Sequence, residues 1–552
     1  MRLHSAPVTA ARLRPHLLLL LSIASLLPAA SLAARPVVRY GDPVAPPSRA
    51  PLAAQIEQLA VQLAVQGGRT APVADPRLEA ALALLAPRVV EGRAPPTETV
   101  AEALWMMGVV EPLPYLLVIS FNPGEEEATL GQARAQLAPL VAEGRYRRVA
   151  AYVGGAASGQ LQALVAIQES FVALDPVPRQ LRLGASATLS GRVLGNYRQP
   201  EIFINPPARP AAPGSALVPL APGGAQVHEA PVTRQGARFA GPVRCDTPGR
   251  YQIEIVAQGA FGPTVLANFP LYCEEAAPVQ LAAAPAPQRE AAWRSADDAE
   301  AQVRELINRD RAAAGLPPLA VDPQLEAVAR AHSRDMRDHH FVGHVSPTTG
   351  SPSDRVRGAG LPTPRLLLEN VAMGSSPGEV EQSLLDSPAH RANLLSPEVD
   401  RVGVGAAVND GEAGRELYVT QLFARFPTIQ SAAEATARLR LRTDELRRSA
   451  RLAPLASDPV LDDLAATAAA RLATGAGALD RAEAPIAAAM DHLGDRYAAL
   501  RTIAASGSDI DALRLPDSLR DPRFSHAGVA AAMGRRNGDT VMFAVIIVGT
   551  QR

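Results

Sequence analysis

A pattern of helices and strands that recurs along the chain constrains its fold more than any other feature. The first pair of matching segments is NRDRAAAGLPPLAVDPQLEAVARAHSRDM (308–336) and LRRSARLAPLASDPVLDDLAATAAARL (446–472). The second pair is LLDSPAHRANLLSPEVDRVGVGAAVNDGEAGRELYVTQLFA (384–424) and LPDSLRDPRFSHAGVAAAMGRRNGDTVMFAVIIVG (515–549). The copies lie much further apart than the roughly 20–50 residues of a solenoid repeat. Each copy is therefore predicted to be a whole domain of helices and strands.

A third, weaker copy is predicted near the N-terminus. It rests on ADPRLEAALALLAP (74–87), which is similar to the DPQLE helix, and on YRRVAAYVGGAASGQLQALVAIQ (146–168), which is similar to the closing pair of strands. The predicted organisation is a signal peptide at 1–34, a linker at 35–50, the first copy at 51–171, an all-β domain at 172–275, an Ala/Pro-rich linker at 276–296, the second copy at 297–427 and the third at 428–552.

The sequence pattern of residues 172–275 is typical of an all-β domain. LRLGASATLSGRV alternates apolar and polar residues, as a half-buried strand does, and DTPGRYQIEIVAQG combines a turn with a further strand. Short strands with turns at intervals of about ten residues predict a small β-sandwich. The stretch TPGRYQIEI also resembles immunoglobulin-like domains of exported bacterial proteins.

The two cysteines of the chain, Cys245 and Cys273, both fall in this all-β segment. Export would place them in an oxidising compartment, where a disulfide between them is the expected state. Two buried free thiols are the alternative. Two cysteines alone do not make a structural zinc site.

The first 34 residues are typical of a secretory signal. Arg2, Arg12 and Arg14 precede a short apolar run from Leu17 to Leu27, and small residues follow it. A secreted or periplasmic protein is predicted, with a retained N-terminal anchor as the alternative. No later window is long and apolar enough for a transmembrane helix. The formal net charge of −1 gives no basis for nucleic-acid binding.

Histidines are concentrated in the second copy. The chain has ten, and five of them lie between His332 and His390. The third copy keeps the helix and strand pattern but has no equivalent of GHVSP, ENVA or AHRANLL. A residue needed only for folding should recur in every copy, so these histidines are predicted to have a role specific to a site.

The second copy resembles bacterial members of the CAP superfamily, which includes cysteine-rich secretory, antigen-five and pathogenesis-related proteins. The resemblance rests on LINRDRAAAGLPPLAVDPQLEAVARAHSRDM, FVGHVSP, ENVAMG, SPAHRANLL and LYVTQLFA, which occur in this order. It implies an α+β fold, an α-β-α sandwich with helices on both faces of an antiparallel sheet. The two other copies are then predicted to be degenerate CAP-like domains.

The resemblance also implies a cleft around two histidines and acidic residues. His344 in GHVSP and His390 in SPAHRANLL match the two histidines, and Glu369 in ENVA matches the first acid. Ser387 stands where the second acid would fall. Asn370, beside Glu369, is expected to bond to local backbone groups.

Two imidazoles and one carboxylate are a ligand set that zinc accepts with a position open for water. His344, His390 and Glu369 are therefore candidate ligands of Zn²⁺ or another divalent metal, and they could equally line a metal-free pocket. No catalytic residue is assigned.

The leading hypothesis is an exported binding protein without turnover, whose cleft takes a lipid, glycan, peptide or protein. The rivals are a metal-dependent hydrolase of peptide or cell-wall material, and a structural or adhesion protein with a vestigial cleft.

Overall fold

The computed structural model describes most of the chain. Its described ranges are 36–45, 50–90, 94–155, 160–207, 227–282, 292–411, 414–426, 431–474, 488–489, 492–507, 509–511, 513–536 and 539–552. The predicted signal peptide at 1–34 lies outside them. None of the helices in these ranges is long and apolar enough to cross a membrane.

The N-terminal unit is a four-stranded sheet between helices. Its elements are β1 (Arg39–Tyr40), α1 (Pro51–Gln66), β2 (Val73–Ala74), α2 (Pro76–Leu85), a 3-10 turn (Ala86–Arg88), α3 (Thr97–Met106), β3 (Tyr115–Phe121), α4 (Glu126–Ala142), β4 (Arg148–Gly155) and β5 (Leu161–Gln168). The sheet order is β2-β4-β5-β3, and only the β2–β4 pair is parallel. Successive residues of β5 pack alternately against the α1/α4 core and the α2/α3 core, because side chains of a strand alternate between the faces of its sheet.

Two sheets that enclose one core follow. Their strands are β6 (Val172–Leu174), β8 (Gln180–Leu181), β9 (Ser186–Val193), β10 (Arg198–Asn205), β11 (His228–Ala230), β12 (Thr233–Gln235), β13 (Arg238–Arg244), β14 (Gly249–Gly259) and β15 (Gly262–Cys273). Strand β7 (Val177–Pro178) lies between β6 and β8 in sequence and pairs instead with β1. The sheet orders are β11-β10-β14-β15-β8 and β12-β13-β9-β6. A disulfide joins Cys245 to Cys273 inside this core.

The middle unit has the sheet order β16-β18-β19-β17. Its elements are α5 (Ala296–Ala313), β16 (Ala320–Val321), α6 (Pro323–Asp338), α7 (Pro352–Gly358), β17 (Leu366–Gly374), α8 (Pro377–Asp386), α9 (Pro388–Leu394), β18 (Arg401–Gly411) and β19 (Gly414–Arg425). Helices α5 and α8 contribute to the core on one face, and α6 and α7 to the core on the other.

The C-terminal unit has the sheet order β20-β22-β23-β21. Its elements are α10 (Ala432–Ser449), β20 (Ala456–Ser457), α11 (Pro459–Ala473), β21 (Tyr497–Gly507), a 3-10 turn (Asp517–Arg520), β22 (His526–Arg536) and β23 (Asp539–Gln551). Helices α10 and α11 pack on opposite faces of the sheet.

The three helix-and-strand units share one local device. In each, a two-residue strand pairs in parallel with the first strand of the closing hairpin and is followed by an Asp-Pro helix start. Asp75, Asp322 and Asp458 each accept a hydrogen bond from the backbone amide two residues further on, and proline occupies the first turn. Three sheets within the described ranges therefore have the same order and direction. The descent of the outer two units from a CAP domain stays a prediction.

The two predicted linkers are not free connections where they are described. Tyr40, within 35–50, is fully buried and its hydroxyl donates to the carbonyl of Pro270 at 2.7 Å. Arg88 donates to the carbonyls of Leu281 and Ala282, within 276–296. Composition predicted spacers here because Pro and Ala dominate, but these segments pack against the units beside them.

Candidate functional site

Strand β17 positions Glu369 and Asn370 at the edge of the middle sheet. Both side chains are buried. Glu369 bonds to Arg355 of α7, whereas Asn370 bonds to groups of α9 and β19. The strand therefore presents neighbouring polar residues to two sides of the unit.

Glu369 is held by two groups at once. Nδ1 of His344 donates to its Oε1 at 3.0 Å, and the guanidinium of Arg355 donates to its Oε2. Arg355 also donates to the carbonyls of His344 and Gly350, at 3.0 and 2.8 Å. This buried ion pair fixes the loop that carries His344. Sequence reasoning missed Arg355, because its position in SPSDRVRG has no feature that separates it from the exposed arginines nearby.

His390 lies on α9 and is oriented by the residue that caps this helix. Oγ of Ser387 is 2.6 Å from Nδ1 of His390. Burial, and then the neighbouring His344, lower the pKa of His390 to about 3, so the imidazole is neutral at physiological pH. The two rings are stacked with centroids 6.2 Å apart. The fold thus brings together the two predicted histidines, Glu369 and Ser387.

Asn370 ties the strand to the helix that carries His390. Its Nδ2 donates to the carbonyl of His390 and to Oε1 of Gln421, both at 3.1 Å, and its Oδ1 accepts from Asn393 at 3.0 Å. Gln421 donates in turn to Glu381 at 2.7 Å. Burial raises the pKa of Glu381 to about 8. Asn370 therefore links elements that are distant in sequence, and is not limited to the local backbone contacts that we expected.

The predicted three-ligand metal set does not fit this geometry. Both carboxylate oxygens of Glu369 already accept hydrogen bonds, from His344 and Arg355. Within the described ranges, no group of three or more His, Cys, Asp or Glu side chains is arranged to hold a metal ion. Glu369 instead orients an imidazole and is neutralised by a guanidinium. Nε2 of His344 keeps a lone pair that could face a ligand, because Nδ1 of this ring carries the proton.

A carboxylate from the all-β unit enters the site. Glu254 of β14 is fully buried, and its Oε1 accepts from Oγ of Ser387 at 2.5 Å. Its Oε2 accepts from the backbone amide of Ala389 at 2.8 Å. Burial raises the pKa of Glu254 to about 7. Sequence reasoning missed this residue, and the only signal was a charge inside the apolar run YQIEIVA.

The turn between β14 and β15 covers the other side of the site. Phe261 stacks on Phe341 with ring centroids 5.0 Å apart, and its carbonyl accepts from the amide of Val345 at 2.9 Å. Asn268 of β15 donates to the carbonyl of Asp386 at 3.0 Å. The hairpin therefore docks against the loop that carries His344 and against the end of α8, which precedes the helix that carries His390.

A cavity of about 850 Å³ opens where three units meet. Its wall includes Trp105 of the N-terminal unit, Arg250 and Glu254 of the all-β unit, and Ser387 and His390 of the middle unit. The predicted cleft is thus divided. His390 and Ser387 line the cavity, whereas His344 and Glu369 are not part of its lining. The ring of His344 stacks on that of His390.

Known proteins resemble the middle unit. The model of the cysteine-rich secretory protein (CAP) family matches residues 304–423. The uncharacterized protein YkwD of Bacillus subtilis (strain 168) is 41% identical over 107 residues, which are 19% of this chain and 41% of YkwD. The uncharacterized membrane protein YlbC of the same organism is 35% identical over 108 residues, which are 19% of this chain and 31% of YlbC. The chain thus spans less than half the length of either relative.

Solved structures are also similar, at low identity. An extracellular protein containing a SCP domain from Bacillus anthracis str. Ames is 20% identical with a TM-score of 0.21, over 43% of this chain and 82% of that one. An outer surface protein from Borrelia burgdorferi is 21% identical with a TM-score of 0.22, over 24% of this chain and 95% of that one. TM-scores this low carry no argument about function. The family match and the relatives in Bacillus subtilis identify residues 304–423 as a bacterial CAP domain.

Proposed function

We propose that the chain is an exported, secreted or periplasmic CAP-domain protein that binds a ligand in the cavity beside His390. The observation that carries this proposal is a neutral imidazole at the wall of a cavity of about 850 Å³. Its Nδ1 is anchored by Ser387, and within the described part of the chain Nε2 makes no hydrogen bond. Cavities of this size that combine apolar walls with a few oriented polar groups are typical ligand sites.

The cavity wall favours a ligand with an apolar body and a polar end. Apolar surface comes from Leu104, Trp105, Val371 and Leu384. Polar groups come from His390 and from charged residues that include Arg250 and Glu254. A small lipid, a glycan with an apolar face or a peptide segment would fit this distribution. An apolar body would gain binding free energy by leaving water, at about 25 cal/mol per Å² of buried area.

The geometry favours binding over hydrolysis. The hydroxyl of Ser387 is buried and sits between Glu254 and His390, so it is not presented to a substrate as a nucleophile. Glu369 is paired with Arg355, which keeps it from serving as a base. A metal-dependent hydrolase that used Glu369 as a ligand would have to displace the hydrogen bonds that both oxygens of this carboxylate accept.

The experiment that tests the proposal blocks the cavity without disturbing the core. Ser383 lines the cavity, and its hydroxyl donates to the carbonyl of Val380 three residues earlier on α8. Ser383→Trp should fill the space. Ser449 of α10 makes the same bond to Leu446 outside the cavity, so Ser449→Trp is the matched control.

Residues 35–552 would be screened by thermal shift against lipids, glycans and peptides, with binding confirmed by calorimetry. We expect at least one class to bind, Ser383→Trp to lower the affinity at least about tenfold, and Ser449→Trp to leave it unchanged. Binding that both tryptophan variants retain would place the ligand elsewhere. A folded chain that binds no class at all would favour the structural or adhesion hypothesis.

A further inference from the structure

The contact between Glu254 and the CAP domain is the feature that the proposed function leaves unexplained. An isolated buried carboxylate is costly, and folding accepts one only where hydrogen bonds compensate for the lost water. Both oxygens of Glu254 accept from the middle unit, one from Ser387 and one from Ala389. Strand β14 therefore contributes an ionisable group to a site whose other polar residues come from a different unit.

The hydrogen-bond donors in this contact have a defined order. Ser387 has one hydroxyl proton, which it donates to the Glu254 carboxylate. The contact of 2.6 Å between Oγ of Ser387 and Nδ1 of His390 then needs its proton from the imidazole. His390 must carry its proton on Nδ1, which leaves Nε2 as a hydrogen-bond acceptor. His344 has the same arrangement, since its Nδ1 donates to Glu369.

We propose that Glu254 is a positioning residue of the CAP site: acting through Ser387, it holds His390 in the tautomer with the proton on Nδ1. The all-β unit and the CAP domain then form one composite site. Building on the proposed binding function, the ligand in the cavity presents an N–H or O–H donor to Nε2 of His390. A ligand whose polar end only accepts hydrogen bonds would leave Nε2 unpaired.

A glutamine at position 254 should reverse the order of donors. The amide of Ala389 donates to residue 254, so the oxygen of the new side chain must face Ala389. Its NH₂ group then faces Ser387 and donates to the hydroxyl. Ser387 would donate to Nδ1 of His390, and the imidazole proton would move to Nε2. Glu254→Gln therefore changes the tautomer while it preserves the size of the side chain.

The test is nitrogen NMR of the histidine rings in residues 35–552 labelled with ¹⁵N-histidine, without ligand. Spectra at about pH 9 place Glu254 in its ionised form, since burial raises its pKa to about 7. His390→Gln assigns the resonances. We expect Nδ1 of His390 in the pyrrole-type range and Nε2 in the pyridine-type range in the wild type, and the two ranges exchanged in Glu254→Gln.

Asn268→Ala is the matched control, because Asn268 joins the same hairpin to Asp386 without touching Ser387 or His390. It should keep the wild-type pattern. The proposal is overturned if Glu254→Gln leaves the pattern unchanged, or if Asn268→Ala exchanges it as well, which would assign the effect to docking of the hairpin. Should Glu254→Gln fail to fold, the wild type still decides, since a proton on Nε2 contradicts the proposal. No ligand is present, so this result is independent of whether the cavity binds one.

Discussion

The middle and C-terminal units share one scaffold, and only the middle unit carries the site. Arg311 near the end of α5 is fully buried and donates to the carbonyls of Pro317 and Leu394. Arg447 near the end of α10 is buried in the same way and donates to the carbonyls of Ala453 and Leu519. This arginine recurs because it satisfies carbonyls of the loops that close the unit.

The residues of the site do not recur in the C-terminal unit. Its His526 pairs with the short parallel strand, at the position that Arg401 takes in the middle unit, and not at the place of either site histidine. Recurrence therefore separates residues that support the fold from residues that were added to it. Three sets of variants test this distinction.

The largest effect is expected where a helix touches the sheet backbone. A Cβ built on Gly405 would lie 2.0 Å from the backbone nitrogen of Arg330, and one built on Gly528 would lie 1.9 Å from the carbonyl carbon of Leu461. Gly405→Val should therefore push α6 off β18 and destabilise the middle unit by about 3 kcal/mol or more. Hydrogen exchange followed by mass spectrometry would show the lost protection in residues 323–338.

Gly358→Ala is the control for this variant, since nothing lies within 4 Å of its Cβ. Normal protection of α6 in Gly405→Val would mean that the close contact is not required by the scaffold.

Arg311 and Arg447 should contribute a similar free energy to the stability of their units. Arg311→Met and Arg447→Met each leave buried carbonyls without a donor, and should each cost about 3 kcal/mol. Exchange rates of the affected unit would rise while the other unit keeps its protection.

His390→Ala is the contrasting variant. It should cost less than about 1 kcal/mol, because His390 lines a cavity and is no part of the recurring scaffold. If His390→Ala destabilised the middle unit as much as Arg311→Met does, site residues and scaffold residues could not be separated in this way.

The smallest effect concerns Glu381, which holds Gln421 beneath the site. Burial raises its pKa from 4.5 to about 8, so the folded state binds the proton more tightly than the unfolded state. The stability from this group is fully present below about pH 4.5 and is lost as the pH rises through about 8. Glu381→Gln should remove this loss, so that the variant is more stable than the wild type at about pH 9. The free energy of unfolding of both proteins would be measured between about pH 4.5 and 9. If the pKa of Glu381 is not raised, the two proteins should show the same dependence on pH in this range.

Much of the scaffold could be predicted from particular residues. Asp322 followed by Pro323 indicated the start of α6, and the run LYVTQLFA indicated a strand. The family resemblance brought His344, Glu369, His390 and Ser387 to one place, and the structure has them there. The predicted role of Glu369 as a metal ligand does not fit the structure, because Arg355 forms an ion pair with this carboxylate. Nothing in the sequence marks Arg355 as that partner.

The elements whose causes are local could be predicted from the amino-acid sequence. A helix cap and a strand period depend on neighbours a few residues away, and these features recur in the copies. Tertiary structure alone decided how Glu254 is used, since 133 residues separate it from Ser387. The free energy of a buried carboxylate depends on the hydrogen-bond donors around it, and here the docking of two units supplies those donors. The periodicity of a strand does not predict which donors they are.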